Sequence, residues 1–224
     1  MSDRVELRRA LQAERHADLE ARIGRLLAPL RGDERTLDVG CGTGALAYAL
    51  APLVGEVVGV DSAEEYLAAA RGAAPANCTF VLGDAESLPF PYGDFDLVGC
   101  LRVLHHVRRP ELVVAEIARV TTPGGRILIA DQLGDIDPMR SLELDRFERA
   151  RDPSHTRLLP DADIRGYLDA NDLVVTSNEI VTERRDMDTY LAIAGLQGEE
   201  RERLARMAPP IVDVEIGWYV ARKQ

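Results

Sequence analysis

Asp38, Asp61 and Asp84 stand 23 residues apart at the ends of short apolar runs, and the first is followed by three glycines at alternate positions, Gly40, Gly42 and Gly44, in LDVGCGTGALA. Glycines at this spacing let the chain turn tightly and bring backbone close to a ligand, while a helix starting there offers unpaired N–H groups. The three carboxylates suit different partners. Asp38 can meet an ammonium, Asp61 can accept from both hydroxyls of a ribose, and Asp84 can accept from an exocyclic amine while the Ala85 N–H donates to the same ring. A zwitterionic amino-acid tail fits beside Asp38; a pyrophosphate would be repelled. The glycines alone decide less, because Gly40, Gly42 and Ala45 also satisfy the dinucleotide fingerprint G-x-G-x-x-A with Asp61 near the ribose distance. An NAD-dependent oxidoreductase therefore stays open on that pattern, although no hydride-transfer residue is legible.

His105 and His106, in LHHV, are the first candidates for proton transfer. The expectation is that His106 faces the ligand pocket as a base; the alternative has one ring packed in the core and the other capping or facing water. His155, in RDPSHTR, is the second candidate, against the alternative of an ordinary surface loop. Arg102, Arg151 and Arg157 could hold an anionic substrate, but an arginine-rich chain carries many solvated charges.

The elements that must position these residues follow from periodicity. Leu7, Leu11, Leu19, Ile23, Leu26, Leu27 and Leu30 mark an amphipathic helix over residues 4–30. RTLDVG, EVVGVD, CTFVLGD, FDLVGCL and RILIADQL read as five buried strands, with helices at GALAYALA, SAEEYLAAAR and PELVVAEIARV between them. Ser62 with Glu65 makes a capping-box pattern that predicts a helix starting directly after Asp61. Residues 134–160 read as charged and irregular. DADIRGYLDAND is a helix, LVVTSNEIV a sixth strand and VEIGWYVAR a seventh, with about thirty helical, amphipathic residues between the last two where a strand connection needs far fewer.

Composition sets the outer limits. The chain has 224 residues, 46% hydrophobic and 29% charged, enough for one large core. A net charge of -11 argues against a non-specific nucleic-acid binder. The charged N-terminus lacks a signal-peptide core and no run approaches the ~20 apolar residues of a membrane span, so a cytoplasmic protein is expected. Cys41, Cys78 and Cys100 lack CxxC spacing and sit in apolar surroundings, which predicts buried thiols and neither a disulfide nor a metal site.

In order and spacing, LDVGCGTG, VVGVD, GDAESLPFPYGDFD, LHHV and ARVTTPGGRILIAD resemble the class I S-adenosylmethionine-dependent methyltransferases. Within them they are most similar to the small-molecule group that contains the ubiquinone/menaquinone C-methyltransferases. The resemblance implies a Rossmann-like seven-stranded sheet of order 3-2-1-4-5-7-6 with strand 7 antiparallel. It implies a single domain with a cofactor core at 35–133 and helical lids at 1–30 and 184–210 over a largely apolar acceptor pocket. It also implies that Asp38, Gly40, Cys41, Gly42, Gly44, Asp61, Ser62, Asp84, Ala85, Leu101 and His106 hold S-adenosylmethionine and its product S-adenosylhomocysteine. His106 and His155 are then the candidate catalytic residues. A small molecule receives the methyl group. A homodimer, or a non-catalytic protein that keeps the cofactor site, remains open.

Overall fold

The computed structural model describes residues 3–207 and 211–224. The ends of the two lid segments, residues 1–2 and 208–210, lie outside the described residues. Five parallel strands, β1 (Arg35–Val39), β2 (Glu56–Asp61), β3 (Cys78–Leu82), β4 (Phe95–Leu101) and β5 (Thr121–Gln132), are followed by β6 (Leu173–Asp186) and β7 (Ile211–Lys223). They form one sheet of order β3-β2-β1-β4-β5-β7-β6, with β7 antiparallel to both neighbours. Both faces are covered. The helices α1 (Asp3–Leu27), α2 (Ala45–Leu50) and α3 (Glu64–Arg71) pack Ile23, Leu46, Leu50 and Leu67 on one face. On the other, α4 (Pro110–Val120) and α6 (Asp161–Asp169) pack Val113, Ile117, Ile164 and Leu168. Burial on two faces is why β1, β2 and β4 read as continuous apolar runs.

The sheet order reverses between β1 and β4, and ligands of doubly wound folds bind in the crevice that this leaves at the carboxyl ends of the strands. Asp38, Asp61 and the glycine turn all sit at that edge. The three cysteines are free and buried. No described helix is long and apolar enough to cross a membrane.

Four local expectations are corrected. Ser62 does not cap a helix: α3 begins at Glu64, its N-cap Ala63 makes no side-chain bond, and Asp61 Oδ1 accepts from the Ala63 N–H at 2.9 Å instead. The supposedly irregular 134–160 segment contains a fourteen-residue helix, α5 (Pro138–Arg151), capped by Asp137. It escapes an apolar-periodicity search because the residues that it buries, Asp145, Glu148 and Arg151, are charged and three apart. The sixth strand continues five residues past Val181, since charged residues alternating along a two-stranded ribbon keep the ladder while pointing to opposite faces. The fifth strand starts at Thr121, ahead of RILIADQL, and takes in Gly124-Gly125, where pairing to β4 jumps from Thr121 to Arg126 and leaves a bulge. Two short helices, α7 (Met187–Ile193) and α8 (Gly198–Met207), fill the connection before β7.

Candidate active site

The glycine turn is held open by its own backbone. Gly40 has φ +66° and a side chain there would collide with Val103, whereas Gly42, at φ +52°, faces open space that a ligand could enter. The Gly42 N–H donates to Asp61 Oδ2 at 2.8 Å, tying the turn to the end of β2. Each Asp61 oxygen thus holds one backbone N–H and keeps a further lone pair.

Asp38 is 1% exposed and accepts from the Ala47 N–H at 3.0 Å. Burial pushes its carboxyl up to about 8, against the pull of that N–H, and the Asp61 charge adds to the rise. A carboxylate in this state gains most from a cation, which is the chemistry of an ammonium. Cys41 is buried behind the turn and its thiol is pushed up by burial. Ser62 and Asp84 are exposed; Asp84 Oδ1 accepts from the Glu86 N–H at 2.8 Å in a tight turn. Ala85 packs against the core beside it. Leu82, paired with Asp61 across β2 and β3, is 55% exposed, an apolar surface at the crevice that the strand pattern did not single out.

Past Leu101, Arg102 takes φ +59°, and a 3-10 turn over Leu104–His106 presents both histidines. His105 Nδ1 bonds the buried Asp131 carboxylate, whose Oδ2 also accepts the His105 backbone N–H at 3.3 Å. Burial would raise the Asp131 carboxyl, but His105 beside it and the Gln132 N–H hold it below the usual range. With Nδ1–H committed to a carboxylate, the His105 Nε2 carries the basic lone pair. His106 Nδ1 lies 3.0 Å from Ser154 Oγ, which gives its own proton to Asp152 at 2.7 Å, so His106 also offers Nε2. Burial pushes the His106 imidazole down to about 4, helped by His105, whose ring lies 4.1 Å away.

His155 is buried rather than on an open loop. Its Nε2 donates to Asp145 Oδ1 at 2.9 Å, and that oxygen also accepts the Leu158 N–H at 2.8 Å. The neighbouring Thr156 donates through both N–H and Oγ1 to the His105 carbonyl, at 2.8 and 2.9 Å. The RDPSHTR loop is thereby strapped onto the histidine turn, bringing the three rings into one cluster. Sequence reasoning missed Asp131 as a partner of His105. A carboxylate closing the apolar run RILIAD was the available signal, the same that marks Asp61.

The wall around this cluster is mixed. Met187, Tyr190 and Leu191 of α7 pack with Leu204 of α8 and Phe147 of α5. Next to them Glu148 accepts from Arg151 at 2.9 Å and from the Tyr190 hydroxyl at 2.7 Å, and the guanidiniums of Arg151 and Arg185 lie 4.0 and 4.9 Å from the Tyr190 ring centroid. Arg157 is exposed and donates to Tyr167.

Residues 37–129 match the family model described as a methyltransferase domain. An uncharacterized methyltransferase, YcgJ of Bacillus subtilis, is 37% identical over 150 residues, covering 65% of this chain and 59% of the relative's own length. The ubiquinone/menaquinone biosynthesis C-methyltransferase UbiE of Ectopseudomonas mendocina is 30% identical over 200 residues, covering 85% of this chain and 75% of the relative. The crystal structure of the YcgJ protein superposes with a TM-score of 0.84 at 26% identity, covering 93% of this chain and 99% of that one. The sheet order, the glycine turn and these relatives converge: the chain belongs to the class I S-adenosylmethionine-dependent methyltransferases, whose methyl donor is S-adenosylmethionine.

Proposed function

We propose that this chain methylates a small molecule whose accepting atom loses a proton, such as a phenol, an alcohol or an acidic ring carbon. The observation that carries this reading is the His105 imidazole held by the buried Asp131 at the carboxyl ends of β4 and β5. S-adenosylmethionine, when bound, supplies a sulfonium methyl open to in-line displacement.

The chain's own residues supply alignment and proton removal. Asp38 would take the ammonium of the cofactor and Asp61 its ribose hydroxyls, while Asp84 and Ala85 mark the base. The backbone of Gly40, Cys41, Gly42 and Gly44 would cradle the methionyl part, with Ser62 and Leu101 at its borders. His105 Nε2 would accept the acceptor's proton as the new bond forms, and Asp131 would stabilise the resulting imidazolium without itself taking the proton. His106 would line the same space, its ring kept neutral down to about pH 4 by burial. His155 serves by fixing the loop that covers the cluster.

A screen of small acceptors with labelled S-adenosylmethionine tests this. His105→Ala is expected to lower turnover about 10²-fold or more, with S-adenosylhomocysteine affinity within about twofold of the parent. Asp131→Asn should lose part of that rate. If His106→Ala alone abolishes turnover, the base is His106. A chain that binds S-adenosylhomocysteine and labels no acceptor is a binding protein.

A further inference from the structure

Asp131 and Gln132 end β5 side by side, and while Asp131 reaches His105, the Gln132 amide bonds Arg185, on the far strand β6. Its Oε1 accepts from Arg185 Nη1 at 3.1 Å, which fixes the NH2 as the other end. That nitrogen is buried and has no partner. Trp218 stands on the same face of the sheet, opposite Ala130, one same-face step from the Gln132 and Ile216 pair. Its buried indole N–H also lacks a partner. A buried donor left unpaired is costly, and both of these are donors.

The charges point the same way. Glu183 accepts from Arg102 Nη2 at 2.6 and 2.8 Å and from Arg185 Nη2 at 3.2 Å, so two guanidiniums share one carboxylate. With the bond to Gln132, these contacts use two of the five N–H donors on each guanidinium. Arg185 is 8% exposed, and burial and the neighbouring Arg102 push its guanidinium below the ordinary value, the direction expected of positive charge only partly compensated. The side chains of Arg102 and Glu183 are 34% and 28% exposed, so the group has an open side. Arg102 directly follows the end of β4, which puts that opening at the same sheet edge as the histidines.

Spare donors and surplus positive charge together call for an oxyanion. We propose that Arg102, Arg185 and Gln132 form a subsite for a carboxylate on the methyl acceptor, which makes the acceptor a small hydroxylated acid. This rests on the methyl-transfer reading above. The same chemistry exists in the methionyl carboxylate of the cofactor, and the test has to separate the two.

Calorimetry on protein saturated with S-adenosylhomocysteine compares 4-hydroxybenzoate with 4-hydroxybenzamide, and lactate with lactamide. The parent is expected to bind at least one acid about tenfold or more tightly than its amide. Gln132→Glu places a carboxylate beside Arg185 and fills the demand from within. It should fold with an undiminished melting temperature and reduce the acid preference to within about twofold, a loss that Arg185→Gln should reproduce. Acids binding no better than amides in the parent, or a preference that survives in Gln132→Glu, overturn the proposal. S-adenosylhomocysteine and 5′-methylthioadenosine, titrated into ligand-free parent and Gln132→Glu, form the second arm. A selective loss of S-adenosylhomocysteine binding in the variant would assign the anion to the cofactor and also overturn it. Absence of S-adenosylhomocysteine binding in the parent would bring down the methyl-transfer reading itself, whereas intact binding without acid preference would bring down the subsite alone.

Discussion

Asp61 joins two jobs in one carboxylate. Its oxygens hold the Gly42 N–H and the Ala63 N–H, so it shapes the glycine turn and the start of α3 while keeping lone pairs free for the proposed ribose contact. Asp61→Ala is therefore expected to weaken S-adenosylhomocysteine by about 1.5 to 3 kcal/mol, the worth of hydrogen bonds to a charged group, and to weaken 5′-methylthioadenosine as much, since both carry the ribose. Asp38→Asn should separate the two ligands, because only S-adenosylhomocysteine brings an ammonium. Equal calorimetric losses for both ligands in Asp38→Asn, or unchanged affinity in Asp61→Ala, would count against these roles.

Among the elements, α1 buries Ile23 and Leu27 against the sheet but ties the glycine turn and the sheet edge by polar side chains, and the α7–α8 pair packs in a cluster separate from the sheet core. Thr43, in the glycine turn, donates to Gln12 of α1 at 2.7 Å, and Arg22 and Arg25 of the same helix bond Glu179 of β6 at 2.9 Å. α1 thus reaches from the proposed cofactor turn to the far edge of the sheet through polar side chains, contacts that exchange readily with water. Hydrogen exchange with and without S-adenosylhomocysteine should show protection gained in α1, α7 and the glycine turn, while β1 and β4 stay protected in both states. Equal, strong protection of α1 and α7 in both states would make them fixed scaffold.

For the whole molecule, the buried titrating groups set how stability depends on pH. Asp38 binds its proton up to about pH 8 in the native state but only up to 3.8 when unfolded, so it draws stability down as pH rises through that window. His106 titrates at about 4 in the native state against 6.5 unfolded, and draws stability down as pH falls between those values. Glu183, held at about 2 by Arg102 and Arg185 despite its burial, adds a loss as pH falls below 4.5. Below about pH 6.5 the slope of Asp38 is opposed by those of His106 and His155, whose imidazole burial also lowers, and from 6.5 to 8 Asp38 is the one of these described groups that still titrates. Urea denaturation of the ligand-free protein should show stability falling from about pH 6.5 to 8, and Asp38→Asn should flatten that fall. The same decline in Asp38→Asn would assign it to other groups.

The sequence by itself determined the frame. Apolar runs with a two-faced burial pattern, a glycine turn after the first and acids closing the next two are local properties, so a covered parallel sheet and the strand ends carrying Asp38 and Asp61 were legible without coordinates, whereas the strand order came only through the family resemblance. The partner of the histidines was not, because Asp131 lies 26 residues from His105 and only the parallel pairing of β4 with β5 brings them together. Nor was α5 visible, since a helix that buries Asp145, Glu148 and Arg151 hides its inward face from any search for apolar periodicity. Glu183 and Arg185 read as the start of a helical, amphipathic connection until the long antiparallel ribbon of β6 and β7 carries them to Arg102 and Gln132. Charge compensation at a distance is decided by which strands lie side by side, and that is a property of the folded chain alone.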